Sequence, residues 1–177
     1  VEIIEDIVSA VIEYIKENTR YIIFDTSEEE IITALDESKI ETIILNLLSN
    51  AIKYTNDDGI IEVSIKYSKD RKNILISIKD NGIGIDSKEI NNIFQRFKYS
   101  NNILNRRCEG TGIGLSLVKS LVEMHGGKII AKNNSLKGAE FIFSIPVRLT
   151  KGNTTNNKIL ESSIEKCNIE FSDIYFL

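Results

Sequence analysis

Residues 41–55 have the sequence ETIILNLLSNAIKYT, and this stretch decides the fold class. At 100° per residue, Asn46, Asn50 and Lys53 lie within about 60° of one another on a helix. An apolar stripe adjoins them, formed by Ile43, Ile44, Leu47, Leu48 and Ala51. One helix can therefore pack against a core and also present two amides and an ammonium group side by side.

These three polar side chains suit a magnesium-bound polyphosphate. The amide oxygens of Asn46 and Asn50 can ligate a hard cation, their nitrogens can donate to phosphate, and Lys53 adds a point charge. The alternative is an ordinary solvated polar edge of a helix, because short motifs also match by chance. The sequence on either side is needed to decide between the two.

The composition of the 177-residue chain indicates one domain with a tail, since a hydrophobic content of 42% is enough for a core. The net charge is −4, so the composition shows no excess of basic residues of the kind that binds nucleic acid. No apolar run reaches the roughly 20 residues that span a bilayer. We therefore expect neither a nucleic-acid partner nor membrane contact by this chain.

The two cysteines, Cys108 and Cys167, and the single histidine argue against a Cys- or His-rich metal cluster and fit a cytoplasmic domain. The chain begins at Val1 without a methionine or a signal-peptide pattern, which suggests a piece of a longer protein. The complete protein could be anchored in a membrane elsewhere.

The sequence upstream of the central stretch predicts a helix over residues 3–16 and a strand over 21–24. Residues 31–35 suggest a second, weaker strand. Asp36 can cap the central helix, which we expect to end near Tyr54, before a turn signal.

Downstream, residues 60–67 and 73–79 alternate apolar and polar side chains and predict an antiparallel hairpin. Residues 80–85, DNGIGI, follow directly. A carboxylate at a strand end, followed by two closely spaced glycines, lets backbone approach a ligand that the acid faces.

The remaining chain begins with a polar, basic loop at residues 98–109, long enough to serve as a lid. Residues 110–115, GTGIGL, then open an apolar helix whose glycine-rich start leaves N–H groups available for phosphate. Two more strands are expected at residues 128–132 and 140–146. Residues 150–177 form a linker and tail of unknown role.

Taken in order, these motifs resemble those of the ATP-binding catalytic domain of two-component sensor histidine kinases. That domain belongs to a superfamily shared with DNA gyrase, heat-shock chaperones and mismatch-repair ATPases. The matching segments are NLLSNAIKYT as the N box, DNGIGI as the first glycine box, IFQRF as the F box, GTGIGLSL as the second glycine box, and KGAEF as a third.

The resemblance covers residues 1–149 and implies an α+β fold, a two-layer α/β sandwich of the Bergerat type. Its sheet would be mixed and mostly antiparallel, with helices on one face and a mobile ATP lid. It also implies that the domain binds ATP and Mg²⁺.

Carried over position by position, the resemblance implies that Asn50 ligates magnesium while Asn46, Lys53 and Tyr54 contact the phosphates or the sugar. Asp80 would accept a hydrogen bond from the exocyclic amine of adenine. An ionised carboxylate only accepts hydrogen bonds, so it prefers adenine to guanine, which offers a carbonyl at that place.

The glycine boxes and the lid would supply the other nucleotide contacts. Gly82 and Gly84 would shape the adenine pocket. The remaining expected ATP-binding residues are Ile85, Lys98, Gly110, Thr111, Gly112, Gly114 and Leu115. Phe94 and Phe97 would hinge or anchor the lid, with plain core aromatics as the alternative.

Two positions depart from the family pattern. Tyr99 stands where many members carry an arginine, so Lys98 or a lid arginine, Arg106 or Arg107, would meet the γ-phosphate; a solvated loop is the alternative for both arginines. The third glycine box has Ala139 in place of threonine, which removes a hydroxyl near adenine and predicts weaker binding.

Position 46 separates two classes of enzyme. The water-splitting members carry a glutamate there that can act as a general base, whereas this chain has an amide that cannot take a proton. We therefore expect transfer of the γ-phosphoryl group to a protein rather than hydrolysis of ATP.

The resemblance places the acceptor histidine outside this chain, on an upstream helical hairpin that also forms the dimer, and implies a response regulator as the final acceptor. His125, before two glycines at a helix end, fits a packing or capping residue. No residue of the chain is then catalytic beyond positioning ATP. The alternatives are a serine kinase acting as an anti-sigma factor, a chaperone-type ATPase, or a module that binds nucleotide to regulate a partner.

Overall fold

The structure is a computed structural model that describes residues 1–15, 19–96, 112–135 and 137–148. Three helices and five strands lie within these ranges. In chain order they are α1 (Glu2–Tyr14), β1 (Tyr21–Thr26), α2 (Glu37–Tyr54), β2 (Ile60–Tyr67), β3 (Asn73–Asp80), α3 (Gly114–Met124), β4 (Ile129–Asn133) and β5 (Ala139–Pro146).

The five strands form one sheet in the order β1-β2-β3-β5-β4. β1 pairs with β2 in parallel, and the other three pairs are antiparallel. The predicted mixed, mostly antiparallel sheet is therefore confirmed. Asp80 is the last residue of the central strand β3, which lies between β2 and β5. Its side chain therefore lies where the middle strand of the sheet ends.

The helices pack on one face of the sheet, because that face carries the apolar side chains. Along β2, Ile61, Val63 and Ile65 are buried while the residues between them are more exposed. α2 contacts β3 directly and lies against both α1 and α3. Its own buried side chains include Ile43, Ile44, Leu45, Leu47, Leu48 and Ile52. The expected two-layer arrangement is thus present.

The ends of α2 are fixed as predicted. Asp36 is the N-cap, and its carboxylate accepts a hydrogen bond from the Lys39 backbone N–H at 3.1 Å. The helix ends after Tyr54, where Thr55 adopts extended backbone geometry. The polar residues Asn46, Asn50 and Lys53 therefore all lie within one continuous helix.

The predicted strand at residues 31–35 is wrong, because this segment is irregular. It bonds to the end of β5 and the residues just after it: Ala34 N–H donates to the Arg148 carbonyl at 2.7 Å, and Thr33 Oγ1 donates to the Pro146 carbonyl at 3.2 Å. These isolated hydrogen bonds hold the segment in place without the regular pairing of a strand.

Among the described helices, none is both long enough and apolar enough to cross a membrane. The predicted lid at residues 98–109 and the tail at residues 150–177 lie outside the described residues.

Candidate functional site

Asp80 is the centre of the site. It is buried, with 5% of its surface exposed, at the end of β3. Its Oδ1 accepts hydrogen bonds from the backbone N–H groups of Gly82, at 2.8 Å, and Ala139, at 3.2 Å. Within the described part of the chain, Oδ2 receives no hydrogen bond, so one carboxylate oxygen is anchored and the other remains for a ligand.

The surroundings of Asp80 shift its titration. Burial raises the pKa of the Asp80 carboxyl above its ordinary value, while the hydrogen bonds from Gly82 and Ala139 act in the opposite direction. A carboxylate with little hydration gains more from a ligand N–H than an exposed one does, because the local dielectric is low. Asp80 is therefore suited to recognise a hydrogen-bond donor.

Two glycines near Asp80, Gly82 and Gly138, allow neighbouring backbone segments to approach each other closely. A Cβ at Gly82 would lie 2.1 Å from the Tyr54 carbonyl oxygen. A Cβ at Gly138 would lie 2.0 Å from the Asp80 carbonyl oxygen, and Gly138 also has a φ of +93°. Gly82 was expected at the site from the sequence, and the close approach at Gly138 brings the N–H of the next residue, Ala139, onto the carboxylate.

The second half of the 80–85 loop is held by an asparagine that sequence reasoning missed. Asn133, the last residue of β4, accepts from the Ile85 N–H at 2.7 Å and donates to the Ile85 carbonyl at 2.6 Å. Its neighbour Asn134 donates to the Asp80 carbonyl at 2.8 Å. These partners lie 48 and 54 residues away in sequence, so no local pattern identifies the pair.

The polar face of α2 divides into a buried and an accessible part. Asn46 is only 7% exposed, and its Nδ2 donates to the Thr42 carbonyl at 3.0 Å. Asn50 and Lys53 are half-buried, and Tyr54 is exposed. Asn50 Nδ2 donates to the Asn46 carbonyl at 2.9 Å, an arrangement that leaves the amide oxygen as the group available to a cation.

The start of α3 lies against Asn46. A Cβ at Gly114 would come within 2.6 Å of Asn46 Oδ1, so α2 and α3 approach closely at this point. The first described residue of the second glycine box, Gly112, has a φ of +65°. Leu115 is half-buried in the first turn of the helix. The first N–H groups of α3, which have no partner within the helix itself, are thus near the amide face of α2.

Phe94 contacts the sheet. Its ring lies edge-to-face on Phe141 of β5, with 6.3 Å between centroids and 84° between planes. This packing favours the core-aromatic alternative for Phe94. Phe97, Lys98, Tyr99, Arg106, Arg107, Gly110 and Thr111 lie outside the described residues, and their roles stay predictions.

His125 joins the ends of two helices. With its proton on Nδ1, the ring donates to the Leu121 carbonyl at 2.8 Å, and Nε2 accepts from the Asp36 N–H at 3.3 Å. Gly126, with a φ of +77°, and Gly127 then close the end of α3 by bonding to its last-turn carbonyls. His125 thus caps and packs, as the sequence predicted.

The residues fit a magnesium-bound nucleotide better than a metal ion alone. In the ranges that the structure describes, no group of three His, Cys, Asp or Glu side chains could hold a metal ion. Mg²⁺ is commonly held by one or two protein oxygens together with substrate phosphates and water. The amide oxygen of Asn50 could serve as such a ligand, with the phosphates of a nucleotide supplying others.

A family model described as "Histidine kinase-, DNA gyrase B-, and HSP90-like ATPase" matches residues 35–149. The sensor histidine kinase WalK of Bacillus subtilis is 33% identical over 136 residues, which are 77% of this chain and 22% of WalK. The chain therefore spans about a fifth of the length of this curated relative.

Solved structures show the same architecture. The catalytic domain of histidine kinase ThkA, in a nucleotide-free form, has a TM-score of 0.72 and 28% identity, covering 84% of this chain and 94% of that domain. ThkA in complex with the response regulator protein TrrA has a TM-score of 0.68 and 26% identity, covering 82% of this chain and 40% of that one.

Proposed function

Because this chain belongs to the family of histidine kinase-, DNA gyrase B- and HSP90-like ATPases, we propose that it binds magnesium-ATP and donates the γ-phosphoryl group to a histidine. That histidine would lie on an upstream helical hairpin of the same kinase. From there the phosphoryl group would pass to an aspartate of a response regulator.

The observation that best supports nucleotide recognition is that only one of the two carboxylate oxygens of Asp80 is hydrogen-bonded by the described residues. Oδ1 is held by Gly82 and Ala139, and Oδ2 has no bond from the described residues. Adenine offers an exocyclic N–H₂ donor to such an oxygen, whereas guanine offers a carbonyl at the same place. In the proposal, Gly84 and Ile85 line the pocket beside the base.

The phosphates would extend from Asp80 towards the α2–α3 contact. Asn50 would ligate magnesium through its amide oxygen, with Asn46, Lys53 and Tyr54 near the phosphates or the sugar. Gly112, Gly114 and Leu115 would contribute at the start of α3. Phosphoryl transfer depends mainly on such positioning and on electrostatic stabilisation, so this domain needs no covalent intermediate of its own.

Transfer is favoured over hydrolysis by the chemistry of Asn46. Its side chain is a neutral amide, already donating to the Thr42 carbonyl, and it cannot remove a proton from water. ATP held beside it would remain intact until an acceptor arrives. The ThkA structure with TrrA supports a response regulator as the eventual partner of a kinase of this type.

The test is to incubate a chain extended upstream through the hairpin with magnesium and ATP labelled in the γ-phosphate. We expect label on the hairpin that is labile to acid and stable to base, which is the behaviour of phosphohistidine. The present chain alone should release phosphate slowly. Rapid ATP turnover without an acceptor, or acid-stable label on a serine, would refute the proposal in favour of an ATPase or a serine kinase.

A further inference from the structure

Two consecutive asparagine side chains form hydrogen bonds to the two ends of the loop at residues 80–85. Asn134 donates to the Asp80 carbonyl at 2.8 Å and also reaches the Ala139 carbonyl at 3.3 Å. Asn133 bonds to both the N–H and the carbonyl of Ile85. One asparagine therefore fixes the start of the loop, and the other fixes its end.

The start of the loop has several supports besides Asn134. Asn81 N–H donates to the Ile60 carbonyl at 3.2 Å, and Asn81 Oδ1 accepts from the Ile60 N–H at 2.9 Å. Ile83 N–H donates to the Tyr54 carbonyl at 3.1 Å. After Ile83, the hydrogen bonds to the loop within the described residues are the two that Asn133 makes to Ile85. The far half of the loop thus depends on one side chain.

The geometry of the Asn133 amide suits this task. An amide has a donor and an acceptor side by side, so it can pair with a backbone N–H and C=O as a neighbouring strand would. Gly84 has a φ of +77°, and a Cβ there would lie 3.1 Å from Asn133 Oδ1. The side chain therefore lies close against Gly84 while it bonds to Ile85.

We propose that Asn133 is a positioning residue that sets the Gly84–Ile85 wall of the adenine pocket, an inference that rests on the proposed ATP site. Asn133 itself is exposed and lies outside the hydrophobic core. Its loss would free the far half of the loop without opening a cavity. The base would then be placed less accurately against Asp80, while the phosphate-binding face on α2 would be unchanged.

The test compares wild type with Asn133→Ala, which removes both hydrogen bonds, and Asn133→Asp, which keeps the shape but replaces the donor with a second oxygen facing the Ile85 carbonyl. Ser135→Ala is the matched control, because Ser135 is exposed in the same connection and its side chain makes no hydrogen bond within the described residues. Each protein is examined for Mg-ATP affinity, thermal midpoint and amide hydrogen exchange.

We expect both Asn133 variants to weaken Mg-ATP binding by about fivefold, because Asn133→Ala loses both exposed hydrogen bonds, and Asn133→Asp loses one and sets an oxygen against the Ile85 carbonyl. Faster amide exchange should be confined to residues 84 and 85, and the thermal midpoint should stay near that of wild type. In the chain extended through the hairpin, KM for ATP should rise while kcat at saturating ATP is retained. Ser135→Ala should match wild type throughout.

Unchanged ATP affinity in both Asn133 variants would overturn the inference. So would a fall in the thermal midpoint with exchange raised across the sheet, because that result describes a structural residue. These outcomes are separate from failure of the proposed function, in which wild type itself would not bind ATP or would label no histidine. Affinity and exchange test Asn133 even if phosphotransfer is absent.

Discussion

Gly114 lies directly over Asn46, so close that a Cβ at position 114 would stand 2.6 Å from the Asn46 amide oxygen. This contact joins the polar face of α2 to the first turn of α3. In the proposed function, both elements serve the triphosphate. The close approach of α2 and α3 at this point therefore depends on glycine, which has no side chain, at position 114.

Gly114→Ala should destabilise the fold by about 1–2 kcal/mol, because the added methyl group must displace the buried Asn46 side chain. In an Asn46→Ala background the same change should cost far less, since the obstructing amide is gone. Urea unfolding of the four proteins measures the coupling. Equal costs in both backgrounds would show that the two residues do not constrain each other.

Asp80→Asn should lower Mg-ATP affinity by about 100-fold, because the amide can turn a donor towards the amine of adenine and a charged hydrogen bond is lost. Isothermal calorimetry measures the affinity. Lys132→Ala, which alters an exposed residue of β4 paired with Glu140, is a suitable control and should bind normally. Normal ATP binding by Asp80→Asn would remove Asp80 from the site.

The pH dependence of stability should also change in Asp80→Asn. The pKa of Asp80 is raised on folding, so the stability it contributes is fully present below the pKa of the unfolded chain and is lost as pH rises through the folded pKa. The variant should therefore gain stability relative to wild type between acid and neutral pH. Urea unfolding at a series of pH values tests this, and a constant difference would contradict it.

Gly138→Ala should cost about 3 kcal/mol or more, because it combines a positive φ with a clash against the Asp80 and Asn81 backbone. Gly126→Ala is the matched comparison: its φ is also positive, but the added methyl meets the flexible Arg148 side chain. We expect it to cost about 1 kcal/mol. Similar unfolding energies for both variants would mean that backbone crowding around Asp80 is unimportant.

Asn50→Ala should abolish most of the dependence of ATP affinity on magnesium. Wild type should bind ATP more weakly when magnesium is chelated, whereas the variant should bind equally weakly with and without it. Asn56→Ala, in the exposed turn after α2, serves as the control. If Asn50→Ala retains the full response to magnesium, the metal is held elsewhere.

Much of the fold follows from local sequence. The cap at Asp36, the end of α2 before Thr55 and the alternation along β2 and β3 each depend on neighbours within a few residues, and each was predicted. Residues 31–35 show the limit of this reasoning. Their apolar content suggests a strand, but the available partners at Pro146 and Arg148 offer only isolated hydrogen bonds.

The site could be predicted only in part, for the same reason. Asp80 and Gly82 are recognisable because carboxylate, turn and glycine are adjacent in sequence. Asn133 and Asn134 are ordinary residues at the end of a strand until β4 and β5 bring them beside the loop at residues 80–85. Their function depends on the tertiary structure and has no local signature.

The most direct test of the account is a crystal structure with magnesium and a non-hydrolysable ATP analogue. We predict that the exocyclic amine of adenine lies within hydrogen-bonding distance of Asp80 Oδ2, and that magnesium is coordinated by Asn50 Oδ1 and phosphate oxygens. A base bound away from Asp80, or a magnesium ion without Asn50 in its coordination shell, would contradict the account.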